Sequence, residues 1–328
     1  MNKRLQLDSK YWPLLITVFL FCSLYAFGIL NYRGFSSPQV FFNLWIDNAF
    51  LLITSIGMTF VIISGGIDLS VGAMIAFTTV FSAFMLEDLS LSPFVVIPVV
   101  LLTGILFGAT MGAIIQYFKV QAFIVTLAGM FFARGMCFVI STDAITISNP
   151  LYRSLALFRI PIIGKSFISI NVVIVLVVLV VSFYLLHRTR FGRTVYAIGG
   201  NEQSALLMGL PVARTKILVY TINGFCSALA GVVFSIYMLS GYGLYTNGLE
   251  LDAIAAVVIG GTMLTGGVGY VLGTVVGVLI QGLIQTIIMF QGTLNSWWTK
   301  IVVGLLLLAF IGMQSVINSR SRSRRTTT

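Results

Sequence analysis

Residues 188–216 read RTRFGRTVYAIGGNEQSALLMGLPVARTK, and the disposition of the rest of the chain follows from this stretch. Long apolar runs lie on both sides of it, yet it is too polar to cross a bilayer. It carries Arg188, Arg190, Arg193, Arg214 and Lys216 against one acid, Glu202. Lys and Arg concentrate in inward-facing loops, so the segment is expected on the cytoplasmic side. Inside it, Asn201 is suited to cap a helix start, Glu202 complements the dipole of the first turn, and Gly209 supplies a left-handed stop. A short helix from about Glu202 to Met208 is therefore expected between two membrane spans. It would present Ala205, Leu206 and Met208 outward.

Composition agrees with that placement. Of the 328 residues, 58% are hydrophobic and 9% charged, with mean hydropathy +1.04, so most of the chain must be solvated by lipid. Backbone groups in lipid have to be satisfied within each segment or in a closed barrel. The period-two alternation of a barrel is absent, which leaves helices. The expected fold is all-α, a polytopic integral membrane protein of about ten transmembrane helices with one short cytoplasmic helix, residues 1–328 forming a single domain. The net charge of +10 arises from the N-terminus, the loop at 188–216 and the basic tail at 318–328 with Arg320, Arg322, Arg324 and Arg325. That distribution reads as topology and lipid headgroup contact, not nucleic-acid binding. Cys22, Cys137 and Cys226 stand singly in apolar runs and read as small hydrophobes, with no metal site or disulfide set.

Apolar windows near residues 11–30, 47–63, 69–86, 94–117, 122–141, 168–186, 217–239, 251–264, 268–290 and 297–314 give ten expected spans. Lys3, Arg4 and Lys10 start the chain inside, and no small-residue cleavage site follows, so the first helix is expected to be retained. Ten crossings then put Glu87 and Asp88 outside and the tail inside. The longest outer connection is 141–167. Trp297, Trp298 and Lys300 match an aromatic belt with a snorkelling lysine. Gly104, Gly108 and Gly112, and Gly273 with Gly277, form small-residue stripes suited to close helix packing. Two glycine interruptions, Ser64-Gly65-Gly66-Ile67 and Thr265-Gly266-Gly267-Val268, recur at a constant offset of 201 residues, and paired broken segments point to a central pathway in transporters.

Candidate chemistry is sparse. Gly164-Lys165-Ser166 resembles the end of a phosphate-binding loop, but residue 159 is Arg and no strand precedes it. No catalytic constellation, cofactor site or metal site is expected. Asp68 and Arg134 are the ionisable residues set deepest in apolar sequence, a costly placement that marks a pathway or a paired structural site. For Asp68 the readings are a helix cap at Leu69 or a pathway group. For Arg134 they are an acidic partner, an outward reach toward Asp143, or substrate contact. An ion-coupled secondary transporter of a small polar solute would need more intramembrane carboxylates than Asp68 alone. A permease driven by a separate ATPase accounts for the capped inner helix directly.

Four stretches carry a family resemblance: ISGGIDLSVG (63–72), AFIVTLAGMFFARG (122–135), RFGRTVYAIGGNEQSALLMG (190–209) and DAIAAVVIGGTMLTGGVG (252–269). In this order they resemble permeases of the ribose and galactose type of bacterial sugar ABC importers, almost end to end, and in particular those of galactofuranose importers. The resemblance implies a bacterial inner-membrane protein with both termini cytoplasmic. It implies a cytoplasmic ABC ATPase, a second permease subunit (identical or different) and a periplasmic sugar-binding protein as partners. It also implies that the coupling segment falls on Gly200, Asn201, Glu202, Ala205, Met208, Gly209 and Leu210, while Gly65, Gly66, Asp68, Arg134, Gly266 and Gly267 are candidate pathway or structural polar positions. Gln121 departs from the family, whose members commonly carry Pro there.

Overall fold

The computed structural model describes residues 12–295 and 297–325. The basic residues Lys3, Arg4 and Lys10 lie outside that range, as do the side chains of Arg320, Arg322, Arg324 and Arg325. The chain opens with α1 (Trp12–Asn31), then α2 (Pro38–Asp47) and α3 (Ala49–Ile63), which are joined at Asn48 with a bend of 58°. A break at 64–70 leads to α4 (Val71–Glu87), followed by α5 (Pro93–Tyr117) and α6 (Ala122–Ile140). Pro38 and Pro93 each sit in the first turn of their helices, where the missing N–H costs nothing. The connection after α6 contains β1 (Ile145–Thr146), α7 (Pro150–Leu157), β2 (Arg159–Pro161) and β3 (Phe167–Ser169). Then come α8 (Ile170–Arg188), α9 (Arg190–Gly200), α10 (Glu202–Leu207) and α11 (Val212–Met238). After β4 (Ser240–Gly241), α12 (Leu249–Ile259) is separated by a second break, 260–270, from α13 (Val271–Gln291), and α14 (Trp297–Arg325) ends the described chain.

A helix falls in each of the ten expected windows. Six are long and apolar enough to cross a membrane by themselves, namely α1, α5, α6, α8, α11 and α13, or seven if bent α2–α3 counts as one span. Of the remainder, α4 has 17 residues and α12 only 11, about 26 and 17 Å at the helical rise, and the apolar part of α14 ends at Met313. Burial sorts the spans into layers. The membrane windows of α11 and α13 are 67% and 72% buried, against 11% for α1 and 28% for α5, α6 and α8, so α11 and α13 lie at the centre with α3, which is buried along nearly its whole length, and the others lie on the outside.

Small residues permit that packing. A β-carbon on Gly104 or Gly108 of α5 would meet the backbone of Gly224 or Tyr220 in α11, and one on Gly273 or Gly277 would meet the carbonyls of Gly260 or Ala256 at α12. The stripes are packing surfaces. The small strands form two antiparallel pairs, β1 with β4 and β2 with β3. Gly164 lies in the turn of the second pair: contrary to expectation a strand, β2, does precede the Gly-Lys-Ser run, but it turns into a hairpin and not into a helix.

Candidate functional site: a polar loop seated on a glycine junction

The polar stretch at 188–216 folds into two helices, not one. Thr189 accepts the Gly192 N–H at 3.2 Å to start α9, and Asn201 Oδ1 accepts the Ser204 N–H at 2.8 Å to start α10. Gly209, at φ +74°, ends α10 as its sequence predicts. Lys216 on the first turns of α11 donates to Glu202 at 2.6 Å and ties α10 back to the span. With the Glu202 side chain 42% exposed, that pair is worth at most about 1 kcal/mol.

The outward face of α10 differs from the expected one. Ala205 is fully buried, packed among Ile198 of α9 and Val212 of α11. Leu206, Leu207 and Met208 are 64%, 89% and 67% exposed, so the apolar tip is a run of three residues with Leu207 foremost. Gly200 and Gly209 have open space where a side chain would go. Beside the tip, Arg190, Arg193 and Arg214 line a groove of about 620 Å³ with Phe191 and Leu210.

Beneath α10, the end of α9 is wedged between the two breaks in the bundle. The Gly267 N–H donates to the Ile63 carbonyl at 2.8 Å, joining one break to the other. A β-carbon on Gly199 would collide with that same carbonyl and that same nitrogen, and one on Gly266 would crowd Gly65. Tyr196 of α9 adds a 2.6 Å hydrogen bond to the Gly269 carbonyl. Burial pushes the Tyr196 phenol above its ordinary pKa, helped by neighbouring Tyr270, so it stays a donor. Gly65, Gly66, Gly266 and Gly267 are thus gathered at one backbone junction under the polar loop. The breaks are alike in detail, though not in the register that the paired glycines suggest. After α3, the N–H groups of Ser64, Gly65 and Gly66 bond to Phe60, Ile62 and Val61; after α12, those of Gly260, Gly261 and Thr262 bond to Ala256, Val258 and Val257. Gly65 at φ +83° therefore matches Gly261 at φ +91°, not Gly266.

Asp68 and Arg134 do not meet. Asp68 is 3% exposed, and its oxygens accept from Ser70 N–H (2.9 Å), Ser70 hydroxyl (2.6 Å) and the Asn223 amide of α11 (2.8 Å). Because α4 begins at Val71, Asp68 does not cap it; it braces the first break against α11. Arg134 donates to the carbonyls of Gly243 and Tyr245 at 2.6 and 2.8 Å. Its hydrogen-bond partners are backbone oxygens in the α11–α12 connection; the Glu250 carboxylate lies close enough to interact with it through charge, and among the described residues no bond to Asp143 is seen. Arg134→Leu is expected to strip both carbonyls of their donor and cost about 1–3 kcal/mol. Thermal unfolding in detergent would register this, with Arg134→Lys intermediate because a single ammonium lacks the guanidinium fork.

Gly199, Tyr196, Leu207 and Asn223 were not singled out by sequence reasoning. Gly199 and Tyr196 touch residues about 70 or more positions away, and only the adjacent Gly199-Gly200 pair inside a helix hinted at a close approach. Lys300, expected to snorkel, instead pairs with Asp252 of α12.

A sequence profile described as "Branched-chain amino acid transport system / permease component" matches residues 40–311. The chain is 53% identical over 302 residues (92% of it, 91% of the relative) to the inner membrane ABC transporter permease protein YjfF of Escherichia coli K12. It is 40% identical over 322 residues (96% and 94%) to the fructose import permease protein FruG of Bifidobacterium longum. It is 36% identical over 310 residues (94% of each) to the ribose import permease protein RbsC of Bacillus subtilis. No solved structure matches. A profile covering most of the chain, near-complete alignment with these permeases and a helical bundle of several spans lead to one conclusion: the chain belongs to this family of ABC transporter permease components, membrane subunits that are not themselves enzymes.

Proposed function

We propose that residues 1–328 form one permease domain of an ATP-driven sugar importer, which moves a monosaccharide across the bacterial inner membrane and takes its energy from a separate cytoplasmic ATPase. The observation that carries this reading is the seat of α10. Its exposed Leu206, Leu207 and Met208 offer an apolar knob for a partner, and α9 behind it is wedged into the junction of the two broken segments. A push on the knob is thereby delivered to α3 and α12–α13. The relatives named for ribose and fructose import support a sugar as cargo, and the sequence resemblance favours galactofuranose. A second permease subunit and a periplasmic sugar-binding protein complete the assembly on this reading. Gly200, Asn201, Glu202, Ala205, Met208, Gly209 and Leu210 build the coupling element; Asp68 and Arg134 are structural braces. An ion-coupled transporter is disfavoured because Asp68 already accepts three hydrogen bonds.

Purification in mild detergent followed by mass spectrometry tests the assignment, with an ABC ATPase expected to remain bound. A chain that purifies alone and accumulates solute in vesicles under an ion gradient would overturn it. Orientation is tested separately. Ser204 on α10 and Ser92 before α5 are exposed at opposite ends of the bundle, and the charge of the basic loop at 188–216 supports a cytoplasmic Ser204 end on this reading. Single cysteines there, in a cysteine-free background, are expected to react from opposite sides. Labelling of both from outside would reverse the scheme.

A further inference from the structure

The bundle end opposite the glycine junction contains a cavity of about 540 Å³, remote from the α10 knob. It lies between the start of α3, the ends of α11 and α13, and the starts of α12 and α14. Its wall combines hydrogen-bonding groups with aromatic faces. Asp47 accepts from the Tyr237 hydroxyl at 3.2 Å, Lys300 pairs with Asp252, and the Gln281 amide donates to the Asp252 carbonyl at 3.0 Å. Trp297 stands 72% exposed at the rim, and Phe50 packs edge-on against Phe234 at 4.7 Å within.

We infer that this cavity is an outer vestibule that binds a single neutral sugar ring on its way into the permease. The inference rests on the sugar-importer reading above. Carboxylate and amide groups converging on a concave site with an aromatic wall suit a polyol, whose hydroxyls both donate and accept while its C–H face lies on a ring. The volume accommodates one ring with water to spare. Lys300 is neutralised by Asp252, so an anionic ligand finds no free cation here. A zwitterionic amino acid would first have to break that pair. The position also fits a relay, since the cavity and the α10 knob sit at opposite ends of the same helices, α3, α11 and α12. Cargo enters at one end and energy at the other.

The test is uptake by cells expressing the complete transporter, offered radiolabelled pentoses, hexoses and leucine. If wild type accumulates no sugar, the importer reading fails, and the vestibule assignment falls with it. Given a transported sugar, Asp47→Ala, Gln281→Leu and Trp297→Leu are each expected to lower the maximal uptake rate by about tenfold or more, the effect of one lost hydrogen bond to a charged group or one lost stacking face, at a half-saturating concentration that the sugar-binding protein sets. Membrane abundance and ATPase association should be retained, because the coupling knob is remote. Unchanged maximal rate and sugar preference in all three variants would overturn the vestibule while leaving the importer reading intact. Should these variants not reach the membrane, Gln285→Cys in the same cavity provides a second reading. Its labelling by an impermeant maleimide is expected to slow in excess transported sugar, and equal rates with and without sugar would overturn the assignment.

Discussion

Gly199→Ala is expected to abolish coupled transport and to destabilise the permease, whereas Gly200→Ala, one residue along the same helix, leaves folding stability within about 0.5 kcal/mol of wild type. The contrast arises from what each new methyl group meets. At 199 it collides with the Ile63 carbonyl and the Gly267 nitrogen, the two atoms of the 2.8 Å hydrogen bond that joins the breaks. Backbone atoms cannot rotate aside as a side chain can, so α9 must lift or the junction must open. Overpacking of this kind costs about 1–3 kcal/mol and sometimes more. At 200 there is nothing within 4 Å of the added carbon. Thermal unfolding in detergent and sugar uptake, measured on both variants, check the pair of outcomes. Equal stability of the two would mean that the junction is not under steric constraint.

Hydropathy located every main helix because lipid solvation demands long apolar runs, and a run of that kind is visible without knowing its neighbours. It could not tell a full crossing from a short segment ending at a break. α12, with 11 residues, reads as a span only because apolar residues continue into the break beyond it, and the window at α3, with 15, is lengthened by including the bend at residues 47–48. Helix α9 escaped notice for the opposite reason. Gly192, Gly199 and Gly200 argue against a helix by intrinsic propensity, but Gly192 lies against the Leu186 carbonyl and Gly199 against the junction, so tertiary approach requires them. The caps at Asn201 and Gly209 were legible because capping is local chemistry. The face of α10 was not, since six residues are too few for a periodic pattern to declare which side is buried. Ala205 turned inward and Leu207 outward. The partners of Arg134 lie 109 and 111 residues away in the chain. Their carbonyls carry no signature in the sequence.

The other large effect concerns the knob. Leu207 and Met208 are 89% and 67% exposed, and Ala205 is fully enclosed. A charge at 205 would break the loop from within and say nothing about docking, whereas carboxylates at 207 and 208 leave the chain's own packing intact. If the knob is buried in an ATPase groove, each carboxylate is desolvated without a partner on binding. The loss of affinity is then roughly two orders of magnitude or more. A helix resting on lipid would instead lose membrane contact and keep its ATPase. The decisive measurement is ATPase retained per permease after detergent purification, compared between wild type and the Leu207→Asp, Met208→Asp double variant at equal membrane abundance. Coupling through α10 predicts that the ATPase is retained by wild type and absent from the double variant. Equal retention in both would contradict it.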